Sequence, residues 1–256
     1  MTRLKCLLPP ALAASAVLFS LGAVSLAHAD ATTPPAADEQ WHGAMSLGAA
    51  NASGNTNSTN VTGTLDLHRL TSADKITLYS YANYASSRVD GTKTTSANSL
   101  RVGGRYDYNL TPVAFLFTTA EGETNRAADL RSRYSAAVGT GYKLINTDTD
   151  TFNIFGGAGG ARTEYTTGLS STGAELYLGE ESTHKLSTTT SVNQRLAIHP
   201  SGGDRGTLTT FDAGLATKVL GGWTVNTGLS VRHQTKQPEG TKPTDTLLTV
   251  GFGYKF

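Results

Sequence analysis

The chain has 256 residues, 38% hydrophobic and 16% charged, with 21 Lys and Arg against 20 Asp and Glu. That balance offers no electrostatic attraction for nucleic acid or anionic membranes. A mean hydropathy of −0.23, with no long apolar run after residue 29, excludes a helical membrane protein, and an abundance of Thr and Gly argues against a helical bundle.

Residues 1–29 read as a secretory signal peptide. Arg3 and Lys5 form its basic start, Ala11 to Leu26 its apolar stretch, and Ala27-His28-Ala29 the small-residue cleavage site before Asp30. The only cysteine, Cys6, leaves with it. The mature chain then has no disulfide, thiolate metal site or cysteine nucleophile. Losing Arg3 and Lys5 takes the net charge from +1 to −1. Residues 30–39, with Pro34-Pro35, read as a flexible lead-in, and 40–256 as one domain.

From Trp41 onward the dominant period is two, the signature of strands. Trp41, Gly43, Met45 and Leu47 share one parity. Leu100, Val102, Tyr106 and Tyr108 alternate with Arg101, Arg105 and Asp107. Tyr134, Ala136, Val138 and Tyr142 alternate with Arg133 and Lys143, and Leu248, Val250, Phe252, Tyr254 and Phe256 with Thr249 and Gly253. The pattern predicts about twelve strands, near 40–50, 58–69, 75–86, 97–108, 113–121, 131–144, 151–162, 174–181, 186–198, 207–220, 223–234 and 245–256. Ten is the alternative count if weak segments near 113, 151 and 174 drop out.

Odd-numbered connections read as long (51–57, 87–96, 122–130, 164–173, 199–206, 235–244) and even ones as tight (70–74, 109–112, 145–150, 182–185, 221–222). That asymmetry suits a closed antiparallel up-and-down transmembrane barrel with long loops on one side. Every proline of the mature chain, Pro200 included, is expected in the tail or a connection, so none interrupts a ladder. Charges on the polar parity are expected to face inward and the apolar parity to face lipid. Large residues filling the inward parity, as a soluble ligand-binding barrel would need, are not expected. Aromatics near strand ends (Trp41, Tyr84, Tyr106, Tyr108, Tyr142, Trp223, Tyr254, Phe256) suit interfacial girdles. Val250, Phe252, Tyr254 and Phe256 look like the carboxy-terminal signal read by the barrel assembly machinery.

Trp41-x-Gly43, Leu47-Gly48 and Ser53-Gly54-Asn55-Thr56 resemble the opening of the YdiY-like family of salt-induced outer-membrane proteins, which is defined by a domain of unknown function. Arg105-Tyr106-Asp107 and Tyr254-Lys255-Phe256 are also similar. The resemblance implies an outer-membrane barrel of Gram-negative bacteria, exported through the periplasm and linked to salt or envelope stress. It brings no catalytic residues.

Arg101, Arg105, Asp107, Arg133, Glu175, Arg195, Asp212 and Arg232 are the candidate lumen-lining residues. Either they line an anion-selective path, or they pair with carboxylates such as Glu175 and Asp66 and lock a narrow lumen. His199-Pro200-Ser201 distantly resembles a lipid-hydrolase loop of outer-membrane phospholipases, with Gly202 where that family has Asn; a turn-rich loop is the plainer reading. Gly156–Gly160 reads as a strand thinned so that inward Tyr or Arg can pack on bare backbone. Thr147–Asp150 reads as a turn, not a calcium loop. The histidines of the mature chain are expected to lie apart. The expectation is a monomeric, non-enzymatic barrel, structural or weakly pore-forming, needing no metal or cofactor and contacting outer-membrane lipid.

Overall fold

The computed structural model describes residues 39–256 apart from 53–56, 90–91, 203–204 and 237–242. The expected signal peptide, the lead-in up to residue 38 and the Ser53–Thr56 motif lie outside the described residues.

Twelve strands follow in order: β1 (Trp41–Ala52), β2 (Asn57–Leu70), β3 (Asp74–Val89), β4 (Thr92–Asn109), β5 (Ala114–Asn125), β6 (Leu130–Asn146), β7 (Asp150–Tyr165), β8 (Ser170–Lys185), β9 (Thr190–Pro200), β10 (Thr207–Leu220), β11 (Trp223–Gln234) and β12 (Thr244–Lys255). Each pairs antiparallel with its neighbours and β1 closes on β12, giving a closed up-and-down barrel. The even strand count puts both ends of the barrel on one rim. The twelve expected strands all form, the three weak ones included.

Their lengths differ from expectation. Strands run from 11 to 18 residues, beyond the roughly 9–11 that a tilted strand needs to cross a bilayer. Pairing continues past the apolar belt because each added position satisfies two more backbone groups. Three of the six segments read as long loops, 87–96, 122–130 and 164–173, are therefore mostly strand. Residues 87–89 and 92–96 belong to β3 and β4, and the turn expected at 182–185 lies at 186–189. The loop asymmetry survives chiefly at 201–206 and 235–243. Pro200 is the last residue of β9, paired with Thr207, at a strand end where a missing donor is tolerated.

The polarity is inside out. Leu248, Val250 and Phe252 are 68%, 64% and 71% exposed, while Arg105 and Asp107 are 4% and 6% exposed. All eight expected girdle aromatics face outward, most of them at the rim that carries the short turns and both barrel ends. Such a surface suits hydrocarbon, not water. One expectation is overturned: the inward parity does hold large residues. Phe115, Phe117, Phe155 and Tyr177 are buried in one cluster, with Tyr79 beside them on the lumen wall.

Bare backbone makes room for these rings. A Cβ on Gly139 would lie 2.7 Å from the Phe117 ring and one on Gly179 2.7 Å from Phe155, and one on Gly141 would overlap the Phe115 ring. The glycines that receive rings are thus mainly on β6 and β8, and the rings are Phe more than the Tyr or Arg expected. Within the Gly156–Gly160 run, Gly157 and Gly159 are instead pressed by the β6 backbone. Phe117 and Phe155 meet edge to face at 5.8 Å, and Phe155 stacks on Tyr177 at 5.2 Å.

Candidate functional site

Alternation carries all eight expected lumen residues to the inside, and the barrel's curvature then decides which meet. On β4, Arg105 Nε donates to Asp107 at 2.7 Å and its Nη1 lies 3.6 Å from Glu181 of β8. Its guanidinium also sits over Phe117 at 4.7 Å and Phe155 at 4.6 Å. Both Nη atoms lack a hydrogen-bond partner, so the ring faces supply part of the compensation that a desolvated cation needs. Arg195 of β9 donates to the Tyr177 hydroxyl and lies 5.5 Å over Phe155.

Nearer the opposite rim a second set of charges joins. Arg133 of β6 donates to both oxygens of Glu175 on β8, at 2.7 and 3.0 Å, and lies 3.7 Å from Glu123 of β5. Glu123 also accepts from Arg232 of β11, at 2.6 Å for Nη1. Arg101 of β4 reaches Asp212 of β10 at 3.3 Å, and Ser230 donates to Asp212 at 2.6 Å.

The last two ion pairs carry the most information. β4 and β10 are six places apart in the ring of twelve, and so are β5 and β11, so both pairs join opposite walls. Twelve strands about 4.8 Å apart and tilted about 40° make a round barrel about 24 Å across. An arginine and a carboxylate together reach well short of that, so the cross-section is flattened between β4–β5 and β10–β11. What remains open is a cavity of about 400 Å³, bounded by Asp66, Tyr79 and Arg101 on one side and by Asp212, Gly228 and Thr249 on the other.

Each expected arginine therefore stands against a carboxylate or a tyrosine hydroxyl. The paired alternative describes the lumen better than an anion path does: of the two carboxylates expected as partners, Glu175 takes Arg133 and Asp66, among the described residues, takes none. Asp66 faces the cavity without an ion pair among the described residues, and the carboxylates that matter include Glu121, Glu123 and Glu181. Glu121 accepts from the Tyr79 hydroxyl at 2.7 Å. The sequence carried a signal for them: Phe115, Phe117, Thr119, Glu121 and Glu123 share one parity, so the carboxylates mark the phenylalanines as inward.

The family model described as a protein of unknown function, DUF481, matches residues 45–256. The chain belongs to this family. The match is consistent with the YdiY-like resemblance. No curated protein matches the chain. Among solved structures, this DUF481 barrel is similar to the NanC porin at 12% identity and a TM-score of 0.49, covering 83% of this chain and 100% of that one. The translocator domain of the autotransporter NalP from Neisseria meningitidis is 15% identical with a TM-score of 0.42, covering 84% and 87%. The KdgM porin is 12% identical with a TM-score of 0.42, covering 85% and 99%.

Within the DUF481 barrel, His199 and Ser201 both turn to Glu175. His199 Nδ1 is 3.4 Å from one of its oxygens, and the Ser201 hydroxyl donates to the other at 3.4 Å. Nucleophilic catalysis needs the serine hydroxyl on the histidine ring, and here the carboxylate stands between them. Thr147–Thr149 is a turn in which the Asp150 N–H donates to the Thr147 hydroxyl at 2.9 Å. The histidines are less separate than expected, for His42 and His68 face each other across β1–β2 with ring centroids 5.6 Å apart. No group of three or more potential metal ligands forms among the described residues.

Proposed function

We propose that this DUF481 protein is an outer-membrane barrel, structural or weakly pore-forming, whose lumen is held nearly shut. The observation that carries the reading is the pair of wall-to-wall ion pairs, Arg101–Asp212 and Arg232–Glu123. With Arg101, Arg105, Arg133, Arg195 and Arg232 each held by a carboxylate or a tyrosine hydroxyl, none of these arginines is left free to select an anion. The apolar exterior and terminal girdle support membrane residence, with outer-membrane lipid as the solvent of that face. Val250, Phe252, Tyr254 and Phe256 form one lipid-facing apolar ridge available to the assembly machinery, and a monomer suffices to close the sheet.

The test is planar-bilayer conductance of purified protein. Wild type is expected to be nearly silent and unselective, and Arg101→Ala/Arg105→Ala to conduct more; a large steady wild-type conductance would overturn the proposal. Heat-modifiable gel mobility and retention in membranes after carbonate washing are expected, and recovery as a soluble periplasmic protein would end the membrane reading. The family resemblance adds a role under salt or envelope stress, checked by survival of a deletion strain after osmotic upshift. A lipid-hydrolase role through His199 and Ser201 predicts activity lost in Ser201→Ala; we expect no activity to lose.

A further inference from the structure

The seam where the barrel closes has the shortest ladder of the barrel, shorter than β8–β9, which runs from Leu178–Ile198 to Lys185–Ser191. β1 and β2 pair along the whole of β1, from Trp41–Arg69 to Ala52–Ser58, and β11 and β12 pair from Trp223–Tyr254 to His233–Thr244. The β1–β12 ladder runs only from Gly43–Phe256 to Leu47–Phe252. Just above it the strands still touch, since a Cβ on Gly48 would meet the Val250 carbonyl at 2.7 Å and one on Gly251 the Leu47 carbonyl at 2.7 Å. Beyond that point, among the described residues, Ala49–Ala52 and Thr244–Thr249 share no ladder.

Position gives this gap its meaning. Val250 stands six residues from Phe256, about 15 Å along the axis at about 3.3 Å per residue and a tilt of about 40°, within an apolar band about 25 Å tall. The parted edges therefore begin near mid-membrane and rise through the leaflet on the side of the long connections. Bare strand edges do not persist against hydrocarbon; they are tolerated where they line water or something covers them. On their outer side stand Leu47, Leu248 and Val250, all lipid-exposed. On their inner side Thr249 and Leu247 line the lumen cavity, together with Arg101 and Asp212. A path from hydrocarbon through the gap thus meets aliphatic side chains first, then unpaired peptide groups and hydroxyls, then charge.

That sequence of environments matches one class of molecule. We propose that the upper β1–β12 seam is a lateral portal, through which a membrane amphiphile, an acyl chain bearing a polar head group, enters the lumen cavity from the surrounding leaflet. The head group bonds the exposed edges and the charged wall, and the chain rests on Leu247 and Leu248. The proposal rests on the reading of the barrel as membrane-embedded.

The experiment uses protein reconstituted in phosphatidylcholine vesicles whose acyl chains are brominated, which quench tryptophan on contact. Trp41→Phe leaves Trp223 on the lipid face as the insertion control. Trp41→Phe/Trp223→Phe/Leu247→Trp places the only tryptophan beside the cavity, with folding checked by heat-modifiable mobility. Ala49→Cys/Val250→Cys, in a chain carrying Cys6→Ser, extends the register of the ladder on one face and locks the seam on oxidation. Met45→Cys/Tyr254→Cys does the same inside the existing ladder and serves as its control.

Quenching of the Leu247→Trp variant that disappears on locking is the expected result. Failure of the upper disulfide to form while the lower one does shows the edges apart, and a longer bis-maleimide then supplies the lock. Quenching equal in open and locked forms shows contact through the wall and overturns the portal, as does absence of quenching in the open form. An unquenched Trp223 fails the membrane reading instead, so the two failures are distinct.

Discussion

Two parts of one lumen wall are built on opposite plans. Strands β4 to β8 present Arg105, Phe115, Phe117, Arg133, Phe155 and Tyr177, all in contact with one another or with carboxylates. Strands β10 to β12, continuing into β1 and β2, present Gly214, Gly228, Thr249, Gly251, Ser46 and Thr64. The first part is packed as a protein core, with rings laid on glycine backbone. The second is thin, and its charged side chains Asp212 and Arg232 are tied to Arg101 and Glu123 of the packed side. The difference teaches where order and access reside: the packed wall fixes register and blocks the bore, while the thin wall leaves room for the cavity and contains the short seam.

The sharpest way to break this comparison is to remove a charge from the packed wall. Arg133→Met leaves Glu175, whose side chain is 2% exposed, without its bidentate partner. Breaking a buried pair from one side costs about 3–5 kcal/mol, read as a lowered urea midpoint. The double change Arg133→Met/Glu175→Leu removes both charges and is expected to recover most of that loss. A single variant as stable as wild type would show the lumen to be wet enough to solvate the carboxylate.

Phe117→Ala comes next. It empties the centre of the aromatic cluster, leaving Arg105 without one of its ring faces, and is expected to cost about 3 kcal/mol. The same measurement checks it.

Legibility from sequence divides along physical lines. The strand count, the inside-out polarity and the inward arginines were readable because a period of two is a local property of each segment. The partners were not, because pairing across the bore depends on closure and stagger: Arg101 and Asp212 are 111 residues apart, Arg232 and Glu123 109. Boundary errors hid the rest. Glu123 lies in a segment that reads as a loop and Glu181 at the end of a strand that reads as short, so the pattern singles out neither. The large inward rings are hard to read because the β5 segment carries only a weak alternation.

Asp212→Asn sharpens the comparison from the thin side. The Arg101–Asp212 pair is partly open, with side chains 21% and 34% exposed, so a stability loss under about 1 kcal/mol is expected. Its main effect is expected in bilayer recordings, as a rise in conductance once the wall-to-wall link is weakened. A change in stability without one in conductance would mean that the link holds shape and does not obstruct the bore.

The smallest expected effects set the two walls side by side at their glycines. A Cβ on Gly228 would meet the Thr249 hydroxyl at 2.8 Å, the end of a rotatable side chain. That hydroxyl supplements the ladder by donating to the Gly228 carbonyl at 3.3 Å, and lumen water can replace it. Gly228→Ala and Thr249→Ala are each therefore expected to stay within about 0.5 kcal/mol of wild type. A Cβ on Gly139 would overlap the Gly156 carbonyl and lie 2.7 Å from the Phe117 ring, one of them backbone and the other wedged among rings. Gly139→Ala must part β6 from β7 or expel the ring, so its urea midpoint falls well below that of Gly228→Ala. Equal midpoints for the two alanine variants would erase the distinction between a packed wall and a thin one.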